Sequence, residues 1–244
     1  MDSLQKCAKA FDQLTRYQYH FVIGRKGQTL KFTVSFDPSD FHHLAGLHKL
    51  KDNVRLQTGQ RSTIFRDVLD GKYPFEQIKH SAYFSEMEQR LTPLAHLVDF
   101  LDSNEIIFRY NEKANRFSAI QADYLLLNDV KEIPVYVFLA QRTGQETYVC
   151  RTLFPKTGKD YTVGQPKYTL LQKEKCNLIT GETIVQYDRL SQKSSTDFLI
   201  ILAPLRKCRN SLEYQAFPAF CVSEDTPHIM AYRSLIWRSK VVKP

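Results

Sequence analysis

The run PVYVFLAQRTGQETYVCRTLF, residues 134–154, decides the class of fold, because apolar, aromatic and β-branched residues fill both of its ends. Its two halves, Pro134–Ala140 and Thr147–Phe154, have the length and composition of strands, and the polar segment between them is typical of a turn. Two similar runs, Ile106–Tyr110 and Ala122–Leu127, precede them at short intervals. Strands that follow one another without intervening helices predict an antiparallel sheet of four or more strands.

The chain before these strands contains mostly helical patterns. Leu4–Tyr17 has apolar residues at helical spacing, and Tyr19–Phe36 predicts a β-hairpin that turns at residues 24–27. Ser81–Asp102 is the longest helical pattern, and Pro93 should kink it or divide it in two. The order of elements therefore predicts an α+β fold, in which N-terminal helices and a hairpin pack on the antiparallel sheet.

The pattern after the four strands is weaker. Tyr168–Lys175 and Glu182–Tyr187 are a further candidate hairpin, and a polar linker follows them. We expect a main domain over residues 1–190 and a C-terminal extension over 191–244, which has one strand candidate at Phe198–Leu202 and a basic tail.

Composition indicates a cytoplasmic protein with an anionic partner. The formal net charge of +8 and the isoelectric point of about 9.2 favour polyanions, nucleic acid first. The five cysteines are scattered without a CxxC pair, which predicts reduced thiols in the cytosol. The N-terminus lacks the apolar core of a signal peptide, and the longest apolar run, Phe198–Leu205, is too short to span a bilayer.

Histidines and lysines are concentrated in the run FHHLAGLHKLK, residues 41–51, directly after the hairpin. Imidazole exchanges protons near neutral pH, and a neighbouring lysine offers a fixed positive charge, so the pair suits phosphodiester cleavage. On a regular helix His43 and His48 would point about 140° apart, which argues against one shared metal ion. The HExxH spacing is also absent, so no metal site is predicted. The alternative is a helix packed by its leucines, with histidines at loops or in solvent.

A second candidate segment lies on the last of the four strands. Alternation along Thr147–Phe154 places Arg151 in an otherwise apolar row, where a buried cation needs an anionic partner. A substrate phosphate or a structural carboxylate would serve equally. Lys156, Lys159 and Tyr161 follow in a turn that suits a backbone clamp with a stacking aromatic ring, although a solvated charged loop has the same composition.

Four short strings carry a resemblance to a known family: FHHLAGLHKL (41–50), ADYLL (122–126), TLFP (152–155) and DY (160–161). Together they resemble a phage-associated branch of the Barnase–EndoU–colicin–RelE-like (BECR) nucleases. The resemblance implies N-terminal helices packed on a four-stranded antiparallel sheet. It also implies a metal-independent endoribonuclease, often a toxin or effector of phages and mobile elements, with an immunity protein as a candidate partner.

The leading hypothesis is a metal-independent endoribonuclease without a cofactor, which cuts RNA by attack of its 2′-OH. The candidate catalytic residues are His43, His48, Arg151 and Thr152, and the candidate RNA-contacting residues are Lys49, Lys51, Arg55, Lys156, Lys159 and Tyr161. No P-loop, GxGxxG, GxSxG or kinase signature supports a nucleotide-dependent enzyme or a serine hydrolase. The alternative is a non-catalytic RNA-binding or protein-interaction module. The oligomeric state stays open.

Overall fold

The computed structural model describes residues 1–73, 75–103, 106–115, 118–130 and 133–191. The helices are α1 (Ser3–Leu14), α2 (Asp40–Leu44), α3 (Val54–Thr58), α4 (Arg61–Leu69), α5 (Phe75–Lys79), α6 (Ser85–Ala95) and α7 (Leu97–Asp102). The strands are β1 (Tyr17–Arg25), β2 (Gln28–Ser35), β3 (Ile106–Arg109), β4 (Tyr124–Val130), β5 (Ile133–Gln141), β6 (Thr147–Pro155), β7 (Lys167–Asn177) and β8 (Thr183–Asp188). Short 3₁₀ turns lie at Leu47–Lys49 and Glu112–Ala114. The α+β class is confirmed.

The eight strands form one sheet in the order β1-β2-β6-β5-β4-β3-β7-β8. β1 also pairs with β7, so the pairings of the first seven strands form a closed ring and β8 is added to the edge of β7. Every pair is antiparallel except β2–β6, which is parallel and joins Thr33 to Thr147 and Val34 to Tyr148. This pairing places the end of β2, which leads into α2, beside the start of β6.

Most of the elements expected from the sequence are present. The four strand-like runs are β3 to β6, the first hairpin is β1–β2, and the second candidate hairpin is β7–β8. The long helical pattern is divided into two helices, as Pro93 suggested. The division falls at His96, however, and Pro93 is accommodated inside the last turns of α6.

Two apolar cores lie on opposite faces of β3 to β6. Alternate strand residues such as Leu126 and Val137 face the helices and join the main core, which includes Phe11 of α1 and Phe41 of α2. The intervening strand residues form a second, smaller cluster of Phe108, Tyr110, Leu125, Tyr136 and Phe138. Both faces of these strands are therefore buried, which explains their nearly continuous apolar sequence.

The histidine-rich run does not form the single helix that its spacing predicts. α2 ends at Leu44, and Gly46 adopts φ +77°, after which Leu47–Lys49 forms a 3₁₀ turn. A left-handed backbone is costly for any residue with a Cβ atom. A Cβ at position 46 would also lie 3.0 Å from both Met87 Cβ and Arg90 Cδ of α6. Glycine thus permits both the turn and the close approach of α6.

No helix within the described ranges is long and apolar enough to cross a membrane. The expected extension, residues 191–244, lies almost entirely outside the described residues, as do its linker and its strand candidate. The proposed boundary near residue 190 therefore stays a prediction.

The turn at Gly46 makes a prediction about stability. Gly46→Ala should lower the free energy of unfolding by about 1–2 kcal/mol for the left-handed conformation, with an additional loss of about 1–3 kcal/mol because the new methyl group crowds α6. Urea denaturation measures both terms.

Gly144→Ala is the matched control, because Gly144 also has a positive φ of +72° but nothing within 4 Å of an added Cβ. It should show the conformational loss alone. Equal losses in the two variants would mean that Gly46 is not held against α6.

Candidate functional site

A cleft of about 340 Å³ opens where α2, the turn after it, α4 and β6 meet. Its lining residues are Ser39, Asp40, His43, His48, Arg61, Val149, Cys150 and Arg151. The cleft thus brings together three of the four candidate catalytic residues, His43, His48 and Arg151, although more than 100 residues of sequence separate the histidines from the arginine.

The turn at Gly46 changes the relation between the two histidines. Their rings stack with centroids 4.2 Å apart and an interplanar angle of 12°, whereas a regular helix would point them in different directions. Nδ1 of His48 is buried without a hydrogen-bond partner. The third histidine of the run, His42, is 5% exposed and its Nε2 donates to the Leu56 carbonyl at 2.8 Å. His42 therefore has a structural role, and two imidazoles face the cleft.

Arg151 occupies a β-bulge, which the alternation argument did not foresee. Phe138 of β5 pairs with Thr152 and Leu139 pairs with Cys150, so Arg151 is an extra residue in β6. The expectation that Arg151 lies buried in an apolar row is therefore wrong: its side chain is exposed and lines the cleft. A bulge commonly re-aims a side chain in this way.

Thr152, the fourth candidate, does not line the cleft. It is 7% exposed, and its Oγ1 accepts a hydrogen bond of 2.9 Å from Nη1 of Arg90 on α6. The hydroxyl therefore has a partner within the protein, and its contact is with a neighbouring cation.

Two arginines of the site were not predicted from the sequence, namely Arg61 at the start of α4 and Arg90 of α6. Arg61 gives no signal in the sequence, because its place in the cleft depends on how α4 packs beside α2. Arg90 does give a signal in the sequence. Arg90 and Leu94 lie three and seven residues after Met87, so all three share one helical face. A charged residue within an apolar stripe indicates a buried cation.

The environment of the cleft keeps both imidazoles unprotonated. Burial lowers the pKa of His43 to about 3, and the nearby His48, Arg151, Arg90 and Arg61 act in the same direction. Burial lowers the pKa of His48 to about 4, with further effects from Arg90, Lys49 and His42. Burial also raises the pKa of the Cys150 thiol, so this cysteine stays protonated and is a poor nucleophile.

The carboxylate of the cleft, Asp40, is already paired. Arg142, in the turn between β5 and β6, donates to its two oxygens at 2.6 and 3.3 Å. This bidentate pair ties the first residue of α2 to the β5–β6 turn. In the described part of the chain no carboxylate lies within ion-pair distance of Arg61, Arg90 or Arg151. Nor does that part contain a group of three or more His, Cys, Asp or Glu side chains that could hold a metal ion.

Three of the expected RNA contacts lie near the histidines in sequence and have protein partners. Lys49 Nζ is 3.6 Å from Glu86 Oε2, and Lys51 Nζ lies 5.7 Å from the centre of the Tyr83 ring. The Arg55 guanidinium donates to Asp67 at 2.6 Å and lies over the Tyr73 ring.

The other three contacts lie on the opposite face of the sheet. Lys156 bonds to Asp160 at 2.7 Å, and Tyr161 packs against Tyr136, Phe138 and Phe154 in the second core. The turn that was expected to clamp the RNA backbone is therefore fixed by contacts within the protein. Lys159 also lies over the Tyr161 ring. Neither Lys156, Lys159 nor Tyr161 is among the residues that line the histidine cleft.

The fold and the cleft together define an α+β protein with two proton acceptors beside arginines that have no carboxylate partner in the described part of the chain, an arrangement that suits the binding of a phosphoryl anion. A family model described as phage-Barnase-EndoU-ColicinE5/D-RelE like nuclease4 matches residues 3–190, and the chain belongs to this phage-associated nuclease family. The resemblance found in the sequence is thus confirmed. No curated protein and no solved structure matches the chain.

The depressed pKa values predict that acid weakens the fold. Below about pH 7 the imidazoles of the unfolded chain bind protons, whereas those of folded His43 and His48 stay neutral. The free energy of unfolding therefore falls as the pH drops towards 4 and 3. From pH 7 to pH 5, His43→Gln/His48→Gln should lose about 2 kcal/mol less than the wild type, after allowance for partial solvent exposure.

Urea denaturation at the two pH values measures this difference. His80→Gln is the control, because His80 is exposed, directly follows α5 and does not line the cleft. The same slope in all three proteins would show that the stacked pair titrates normally.

Proposed function

We propose that the chain is a metal-independent endoribonuclease whose active site is the histidine cleft. The observation that carries the proposal is the stacking of His43 on His48 in one cleft with Arg61 and Arg151. Membership of a phage nuclease family supports phosphodiester cleavage as the reaction. We further propose that it acts on RNA in the cytoplasm, as a toxin or effector of a phage or mobile element.

RNA supplies its own nucleophile, so the residues of the cleft suffice for the chemistry. In the proposed step the 2′-oxygen attacks phosphorus as an imidazole takes the 2′-OH proton. The bond from O2′ to phosphorus forms and the bond from phosphorus to O5′ breaks, leaving a 2′,3′-cyclic phosphate. A second group gives a proton to O5′. Arg61 and Arg151 stabilise the charge that develops on the phosphoryl oxygens.

His43 and His48 are assigned to the two proton transfers. One accepts the proton from the 2′-OH and the other protonates the leaving oxygen, and the geometry suits either order. Because both are neutral in the free protein at neutral pH, the base is ready and the acid must first gain a proton.

Lys49 follows His48 directly and Lys51 lies two residues further on, and we propose that both lysines contact the RNA backbone. Arg55 is engaged by Asp67, and Lys156, Lys159 and Tyr161 lie on the far face of the sheet, so local structural roles suit these four better. We reassign Thr152 from substrate contact to a supporting role, because its hydroxyl accepts a hydrogen bond from the Arg90 guanidinium.

Cleavage of end-labelled RNA in EDTA tests the assignment. His48→Gln or His43→Gln should lower kcat about 10²–10⁴-fold, because each removes a proton-transfer group. Arg151→Gln should lower it about 10²–10³-fold, because it removes a charge at the phosphoryl group. DNA of the same sequence should not be cut, since it has no 2′-OH.

His80→Gln and Arg66→Gln are the matched controls. His80 directly follows α5 and Arg66 lies on α4. Both side chains are exposed, and neither lines the cleft. These variants should cut at the wild-type rate. If all five variants cut equally, or if EDTA abolishes cutting, the proposed mechanism is wrong; salt-sensitive RNA binding without any cutting would favour the non-catalytic alternative.

A further inference from the structure

Arg90 is a cation in an unusual position. It is half-buried between the turn at Gly46 and the bulge in β6: its Cδ would be 3.0 Å from a Cβ at position 46, and its Nη1 donates to Thr152. Its Nε is buried without a hydrogen-bond partner, and among the described residues no carboxylate lies within ion-pair distance of it. A cation placed so normally requires a compensating anion.

The charge of Arg90 acts on the stacked histidines. It disfavours a proton on His43 and, after burial itself, is the largest influence of this kind on His48. Arg90 is not among the residues that line the cleft. It lies beside the turn at Gly46 that leads into His48, and it donates to Thr152, the neighbour of Arg151.

The other charged groups around the pair are mostly cationic as well. The titratable and charged residues that face or border the pair are Asp40 and His42 of α2, Lys49 of the 3₁₀ turn, Arg61 of α4, Glu86 and Arg90 of α6, Arg142 of the β5–β6 turn, and Cys150 and Arg151 of β6. Both carboxylates have partners, Asp40 with Arg142 and Glu86 with Lys49. Among the described residues, no carboxylate lies within ion-pair distance of the cations Arg61, Arg90 and Arg151.

We propose that Arg90 is a positioning residue that disfavours a proton on the His43–His48 pair of the free protein, and that a phosphoryl anion bound in the cleft allows the pair to take up one proton. The anion supplies the negative charge that the three arginines lack, so it removes the reason for the imidazoles to stay neutral. Uptake stops at one proton, because the ring centroids are only 4.2 Å apart and two adjacent imidazolium ions repel.

This inference rests on the proposed function and completes it, since the proton taken up is the one that the general acid delivers to O5′. Substrate binding then produces a pair with one neutral and one protonated imidazole, as the two roles require. The hydroxyl of Thr152 contributes by holding the Arg90 guanidinium in place.

Two measurements that need no RNA cleavage test the proposal. The first is an NMR titration of the His43 and His48 ring protons in the free protein. Arg90→Met removes the charge and keeps an unbranched side chain, so both pKa values should rise by about one unit or more. Arg90→Lys keeps the charge and should leave them near the wild-type values, and Arg66→Met is the surface control.

The second measurement is proton uptake on binding, by calorimetry at pH 5.5 in buffers of different ionisation enthalpy. The probes are inorganic phosphate and a 2′-deoxy dinucleotide, which presents a phosphodiester that cannot be cut. The wild type should take up close to one proton per bound probe. Arg90→Met should take up less, because its imidazoles already hold part of that proton before the probe binds.

The outcomes separate this proposal from the proposed function. Unchanged histidine pKa values in Arg90→Met, or binding without proton uptake in the wild type, overturns the role of Arg90. Proton uptake with inorganic phosphate but not with the dinucleotide would show that the cleft does not bind a nucleic-acid phosphodiester. If Arg90→Met does not fold, Thr152→Val replaces it, and histidine pKa values and uptake equal to the wild type overturn the proposal. Normal uptake without RNA cleavage leaves this inference intact and removes the ribonuclease.

Discussion

The left-handed turn at Gly46 is the constraint on which the cleft depends. It separates α2, which lasts about one turn, from the 3₁₀ turn that carries His48, and it lets α6 approach closely enough for Arg90 to lie against it. Without this turn His43 and His48 would project from different sides of a helix. With it, their rings stack, and Arg90 of α6 lies beside the turn that leads into His48.

The second constraint is the irregularity in β6. The extra residue in this strand turns Arg151 out of the apolar row and into the cleft, while Thr152 stays buried and receives the bond from Arg90. The bulge therefore separates two neighbouring residues into two roles, one toward a ligand and one toward the supporting layer. Burial and the surrounding cations then lower the pKa of both imidazoles, so the cleft combines fixed positive charge with neutral imidazoles at neutral pH.

Local patterns predicted most of the scaffold. The strands β3 to β6 are visible because their residues pack on both faces, and the hairpin β1–β2 is visible because Gly24 and Gly27 flank a polar turn between aromatic runs. The family could also be predicted, since its strings fall on these same elements. The division at His96 was placed wrongly at Pro93, because a proline near the end of a helix costs few hydrogen bonds and the helix continues past it.

The sequence by itself determined the α+β class, the order of the elements, the family and the presence of imidazoles and guanidinium groups in two particular segments. Only the tertiary structure decided that these segments meet, that Arg61 and Arg90 join them, and that Lys156, Lys159 and Tyr161 face away. The physical reason is the range of each signal. Periodicity and turn chemistry act over a few residues, whereas a bulge depends on the partner strand, and the charge of a buried imidazole depends on every cation that the fold places around it.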